Sequence, residues 1–190
     1  MPPKKKWKKR LTSSNGFTSE LEDRTLLSEK ELLELALRKL TLRPHAIVEL
    51  KRQLLQHSEN EMLIDSIIQR LTRCGYLDDR KFAEAVVQAG FEQKLHARSR
   101  IEEELTARGV DPNLVRKALQ EHFPSSEEPG QLSRAMEKKL KTLTLPLDTK
   151  SLSRLYNYLV RQGFSEESIH QELERRFGDE PDLLRERKRN

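Results

Sequence analysis

The sequence is short of nearly everything that builds a fold from disulfides, tight turns or a single bulky core. Among 190 residues there are one cysteine, seven glycines and eight prolines. Cys74 alone excludes an intrachain disulfide, and no cysteine cluster exists for a structural zinc. A reducing compartment is expected, and with it a cytoplasmic protein. So few turn formers disfavour an all-β fold. Aromatic residues make up only 5%, while apolar and charged residues each make up 35%. Thin amphipathic helices, each burying one stripe, fit that balance better than one thick core. No apolar run approaches the roughly 20 residues that span a bilayer, so no membrane partner is expected. No apolar stretch follows the basic N-terminus, so a secretory signal is not expected either. A P-loop and a dinucleotide fingerprint are both missing, so no cofactor and no ATP-driven activity are expected.

What is present is charge, unevenly spread. The net charge is +5. Residues 1–27 contribute most of it, residues 178–190 balance to zero, and the body between them is close to neutral. The N-terminal run KKKWKKR holds Lys4, Lys5, Lys6, Lys8, Lys9 and Arg10 around Trp7. Six cations can neutralise phosphates and one indole can stack on an exposed base, which suits single-stranded nucleic acid. The alternative is a solvated tail, because charge runs alone are weak signals.

From Ser28 onward the pattern is helical. Ser28 and Glu31 have capping-box spacing. Leu32, Leu33, Ala36, Leu37 and Leu40 follow at helical intervals. Pro44 is expected in the first turn of a second helix with Ile47, Leu50, Leu54 and Leu55. A third helix carries Met62, Ile64, Ile67, Ile68 and Leu71, and Gly75 ends it. A fourth runs from Asp79 through Phe82, Ala83, Val86, Val87 and Phe91. A fifth holds Ile101 and Leu105 and stops at Gly109. Asp111 and Pro112 open a sixth, with Val115, Ala118, Leu119 and Phe123. PSSEEPG, 124–130, reads as a turn-rich break. A seventh helix is expected over 131–143, an eighth with Leu152, Leu155 and Leu159, and a ninth capped by Ser165 with Ile169, Leu173 and Phe177.

Residues 101–123 and 155–177 align without a gap, glycine on glycine at 109 and 163 and phenylalanine on phenylalanine at 123 and 177. The stretch 50–71 follows the same pattern with Ser58 in place of the glycine. The expected fold is therefore all-α, a tandem array of three three-helix repeats, elongated or curved. The expected boundaries are an arm at 1–27, units at 28–78, 79–124 and 131–178, a linker at 125–130, and a charged tail at 179–190.

Chemistry has few footholds. Asp78 and Asp79 could hold a metal or move a proton, but no further ligands or pocket are evident around them. Their place at a helix start favours capping. His45, His57, His96, His122 and His170 show no metal-ligand spacing and are expected at surface or edge positions. Cys74 is expected to be structural and buried. No catalytic residue and no metal site is assigned. The body's basic residues, Lys94, Arg98, Arg100, Arg108, Arg116 and Lys117, lie among carboxylates. On the seventh helix Arg134, Lys138 and Lys141 share a face at i, i+4, i+7, with Lys139 beside them. That face, with Lys94, Arg98 and Arg100, is a candidate contact surface for phosphate or an acidic protein.

The stretch GYLDDRKFAE resembles the junction between the first and second repeats of the RecX family, bacterial regulators of the RecA recombinase. Gly75, Tyr76, Leu77, Asp78, Asp79, Phe82, Ala83 and Glu84 fit its signature. Arg43, Pro44, Glu49, Leu50 and Leu54, and later Ile101, Leu105, Gly109 and Val110, resemble further parts of it. The resemblance covers roughly 30–177. It implies a cytoplasmic helical protein without catalysis, which binds the RecA filament on single-stranded DNA and mostly inhibits extension, ATP hydrolysis and strand exchange. A monomer is expected. One departure stands out. Where the family commonly shows a run like Arg-x-x-Lys-Gly-Tyr-Gly-Pro, this chain has GFEQKLHARSRI, 90–101, keeping Lys94, Arg98 and Arg100 but not the glycines. The fourth helix is expected to run on there. The other reading kept open is a sequence-independent nucleic-acid-binding protein with no recombinase partner. A hydrolase or nuclease built on Asp78 and Asp79 is disfavoured.

Overall fold

A computed structural model describes residues 27–143 and 147–178. The basic arm at 1–10, including Lys4, Lys5, Lys6, Trp7, Lys8, Lys9 and Arg10, lies outside the described residues. Nine α-helices and no strand are present among the described residues. In order they are α1 (Glu29–Leu42), α2 (Ile47–Leu54), α3 (Glu61–Arg73), α4 (Asp79–Ala89), α5 (Arg98–Ala107), α6 (Pro112–His122), α7 (Glu128–Leu140), α8 (Thr149–Arg161) and α9 (Glu166–Phe177). A five-residue π turn, Gly90–Lys94, extends α4, and a 3-10 turn, Ser125–Glu127, precedes α7.

The apolar stripes make three small cores, one for each trio of helices. Leu32, Leu50, Ile64, Ile67 and Leu71 anchor the first. Phe82, Val87, Ile101, Leu105, Val115 and Phe123 anchor the second. Met136, Leu155, Leu159, Ile169 and Leu173 anchor the third. This is the tandem of three-helix units that the repeat foretold. Gly109 and Gly163 occupy matching left-handed turns, with φ of 83° and 93°. A side chain is disfavoured there, which is why the two glycines align.

Several local expectations change. Pro44 lies two residues before the N-cap Ala46 rather than inside α2. Arg43, ahead of it, is extended at φ −163°, the conformation proline imposes on its predecessor, and that ends α1. Met62 is 84% exposed. It sits two residues before Ile64, so it falls on the opposite face of α3. Ser58 is not in a left-handed turn, and its hydroxyl accepts the Asn60 N–H at 3.2 Å. The first unit thus turns differently from the other two. Residues 125–130 are helical rather than a linker: Pro129 falls in the first turn of α7, where its missing N–H costs nothing. Phe177 is 43% exposed although its partner in the alignment, Phe123, is fully buried. Phe123 packs against Phe91, with ring centroids 4.6 Å apart. Cys74 is exposed at the end of α3, not buried. His45 is buried instead of superficial, with its ring Nδ1 2.9 Å from the Arg43 carbonyl.

Candidate functional site

The paired aspartates act at helix ends. Asp78 is the N-cap of α4, accepting from the Arg80 and Lys81 N–H groups at 3.0 and 3.1 Å. Asp79 instead accepts the Ile47 N–H of α2 at 2.8 Å. Burial raises its pKa, opposed by that N–H and reinforced by the neighbouring Asp78 charge. Around the pair, Leu77 is buried in the first core and Phe82 and Ala83 in the second, while Tyr76 is 62% exposed. Glu84 receives Arg80 at 2.8 Å on the surface of α4. Glu84 also approaches Glu121 and His122, with ligand atoms within 4.8 Å, but the group is largely open to solvent and Arg80 already engages one member.

The basic residues separate into two groups. Arg98 turns inward. Its guanidinium donates to the Leu119 carbonyl at 3.0 Å and to the Phe123 carbonyl, and lies 5.7 Å from the centre of the Phe123 ring. It serves the C-terminus of α6, where free carbonyls and the helix dipole favour a cation. Arg100 stays exposed, paired with Glu103 at 3.4 Å.

Lys94, Arg134 and Lys138 come together at the π turn. Arg134 stacks over the Phe91 ring at 4.7 Å and donates to the Gln131 Oε1 at 2.7 Å. Lys138 donates to the Gln93 carbonyl at 3.3 Å. Lys94, next along the turn, pairs with Glu104 at 3.5 Å. Lys141, at the end of α7, is exposed, and Lys139 sits over the Tyr158 ring at 5.6 Å. Gln131 is the support that sequence reading missed. Fully buried, it donates to the carbonyls of Phe91 and His96 at 2.7 and 3.3 Å and so ties α7 to the turn. A polar residue in a first turn gave no signal of this.

A chain of ion pairs leads away from the cluster. Lys94 meets Glu104, Glu104 meets Arg108 at 2.9 Å, Arg108 meets Glu49 at 3.6 Å, and Glu49 meets Arg43 at 2.6 Å. Burial pushes the Glu49 pKa up, but Arg43 and Arg108 outweigh it and hold the group ionised. The cations here are partly matched, so the surface is mixed rather than a bare positive field.

The turn falls within the segment, 90–101, that departs from the family run. Leu95 has φ 57° and ψ 43°, the left-handed conformation that glycine adopts freely. A leucine nevertheless stands there, its side chain buried in the third core. His96 follows, its Nδ1 buried without a partner; burial and then Lys94 lower its pKa.

Fold and surface together define a class: an all-helical repeat protein with cations gathered where two units meet. The family model for the second three-helix domain of RecX matches residues 78–119. The regulatory protein RecX of Pelodictyon phaeoclathratiforme is 32% identical over 138 residues, covering 73% of this chain and 84% of that protein. Its counterpart from Chlorobium phaeobacteroides is 30% identical over 153 residues, covering 78% and 95%. The crystal structure of RecX from Lactobacillus salivarius superposes with a TM-score of 0.59 at 19% identity, over 77% of this chain and 95% of that one, and supports the fold. The chain belongs to the RecX family. No described helix is long and apolar enough to cross a membrane.

Proposed function

We propose that this protein is a cytoplasmic, monomeric regulator that binds the RecA filament on single-stranded DNA and mostly inhibits its extension, ATP hydrolysis and strand exchange. The observation that carries this reading is the 30–32% identity to proteins named regulatory protein RecX, over nearly the whole length of some of them. The mechanism is occupation, not chemistry. Three units in series offer a long surface that can bridge neighbouring subunits of a repeating partner. Lys94, Arg134, Lys138 and Lys141 form the contact patch on the body, with Arg100 as an outlying cation. Arg98 is left out because α6 uses it. The arm Lys4–Arg10 with Trp7 adds salt-dependent attraction to exposed DNA.

The test is RecA ATP hydrolysis on single-stranded DNA. Stoichiometric protein should inhibit it, and no inhibition would overturn the proposal. K94E/R134E/K138E should raise the protein concentration needed by about tenfold, the effect of losing roughly 1.4 kcal/mol of charge-assisted contact. Deleting residues 1–10 should flatten the salt dependence of binding to single-stranded DNA alone. Binding to bare DNA with no effect on RecA would favour the simpler nucleic-acid-binding reading.

A further inference from the structure

The two joints between units are built alike. The middle helix of the first unit, α2, has Ala46 as its N-cap, and that of the second, α5, has Ala97. Alanine cannot cap: neither position makes a side-chain cap bond. Both alanines are instead fully buried, and each belongs to the core of the following unit. At each joint one of the N–H groups left over is met from that same unit. Asp79, the first residue of α4, accepts the Ile47 N–H at 2.8 Å. Glu128, the first residue of α7, accepts the Arg98 N–H at 3.4 Å.

A second contact repeats beside the first. An ideal Cβ on Gly109 would lie 2.6 Å from the Val48 side chain, and one on Gly163 would lie 2.6 Å from the Arg100 Cβ. Val48 and Arg100 are in the first turns of α2 and α5. The turn glycine of each unit is therefore seated on the opening turn of the middle helix before it. At the second joint the Ala97 N–H also donates to the Gln162 carbonyl at 2.8 Å, and the Ser99 hydroxyl to the Gly163 carbonyl at 2.7 Å. The third unit breaks the pattern where no unit follows among the described residues: α8 caps itself, Asp148 accepting the Ser151 N–H at 2.8 Å.

We propose that Asp79 and Glu128 are positioning residues, each capping the middle helix of the preceding unit and thereby fixing the angle between successive units. This goes beyond the recombinase reading and does not depend on it. The carboxylate looks local in sequence, one residue into its own helix, yet it serves a helix about thirty residues earlier. The coupling is directional: each unit completes the one before it.

Amide exchange by NMR on the full chain tests the assignment. Asp79→Ala should speed exchange at Ile47 and Val48 about fivefold, the usual worth of a cap, and leave the first turn of α4 unchanged. Asp79→Asn keeps an acceptor oxygen and should stay within about twofold of the parent. Glu128→Ala and Glu128→Gln should behave the same way at Arg98 and Ser99. Spin labels on the exposed Cys74 and on K117C report the angle between the first two units. Their distance distribution should widen in Asp79→Ala and not in Asp79→Asn. Faster exchange in α4 instead of α2 would overturn the proposal, because Asp79 would then serve its own helix. An Asn variant as fast as the Ala variant, or an unchanged label distribution, would overturn it as well.

Discussion

Leu95 sets the terms at the scale of one residue. It combines a buried side chain with a backbone conformation that costs an L-residue about 1–2 kcal/mol. Leu95→Ala keeps the strain and loses the packing, while Leu95→Gly loses the packing and releases the strain. Glycine should therefore destabilise less than alanine, the reverse of the usual order, and urea midpoints of the two variants check it. Glu172 gives the pH counterpart. Hydrogen bonds from Arg175, then from Ser133 and Arg176, outweigh burial and lower its pKa from 4.5 to about 2. A depressed carboxylate stabilises the fold above its ordinary pKa, and that contribution is lost as pH falls from 4.5 towards 2. Glu172→Gln should cost about 1–2 kcal/mol at pH 7 and much less near pH 2, read from denaturant midpoints at both values.

Elements were legible wherever a terminus used ordinary cap chemistry. Ser28 with Glu31, Asp111 with Pro112, and Ser165 mark starts that the structure keeps. The misread ends have local reasons. Pro129 and Gly130 look like a break but occupy the opening of α7. The π turn was hidden because its left-handed end carries Leu95 and not the glycine that would have announced it. The glycines can be sorted by the same physics. A Cβ on Gly130 would meet nothing within 4 Å, so Gly130→Ala should stabilise the protein by about 0.4–1 kcal/mol, seen as a higher Tm. Gly109→Ala meets both a positive φ and Val48, and should destabilise by more than that in the same melt.

At the scale of the whole molecule the repeat was readable because the same turn had to be made twice. The candidate surface was only half readable. Its α7 residues share a face by spacing alone, but joining them to Lys94 takes a contact across 45 residues, that of Lys138 with Gln93. Arg98 faces the C-terminus of α6, and a half-buried cation there looks, in sequence, like any exposed one. Three small cores in place of one should make stability local. Leu50→Ala and Leu155→Ala should each cost about 2–4 kcal/mol, with amide exchange accelerating most in the first unit for one and in the third for the other.

The direction of the capping bonds also sets when each cap becomes available as the chain is made. A chain is made from its N-terminus, so α2 exists before Asp79 does, and α5 before Glu128, by 32 and 30 residues respectively. Both α2 and α5 are thus made before the carboxylates that cap them. The third unit, with Asp148 ahead of α8, waits for nothing beyond itself among the described residues. Translation thus supplies each of these capping carboxylates after the helix it closes.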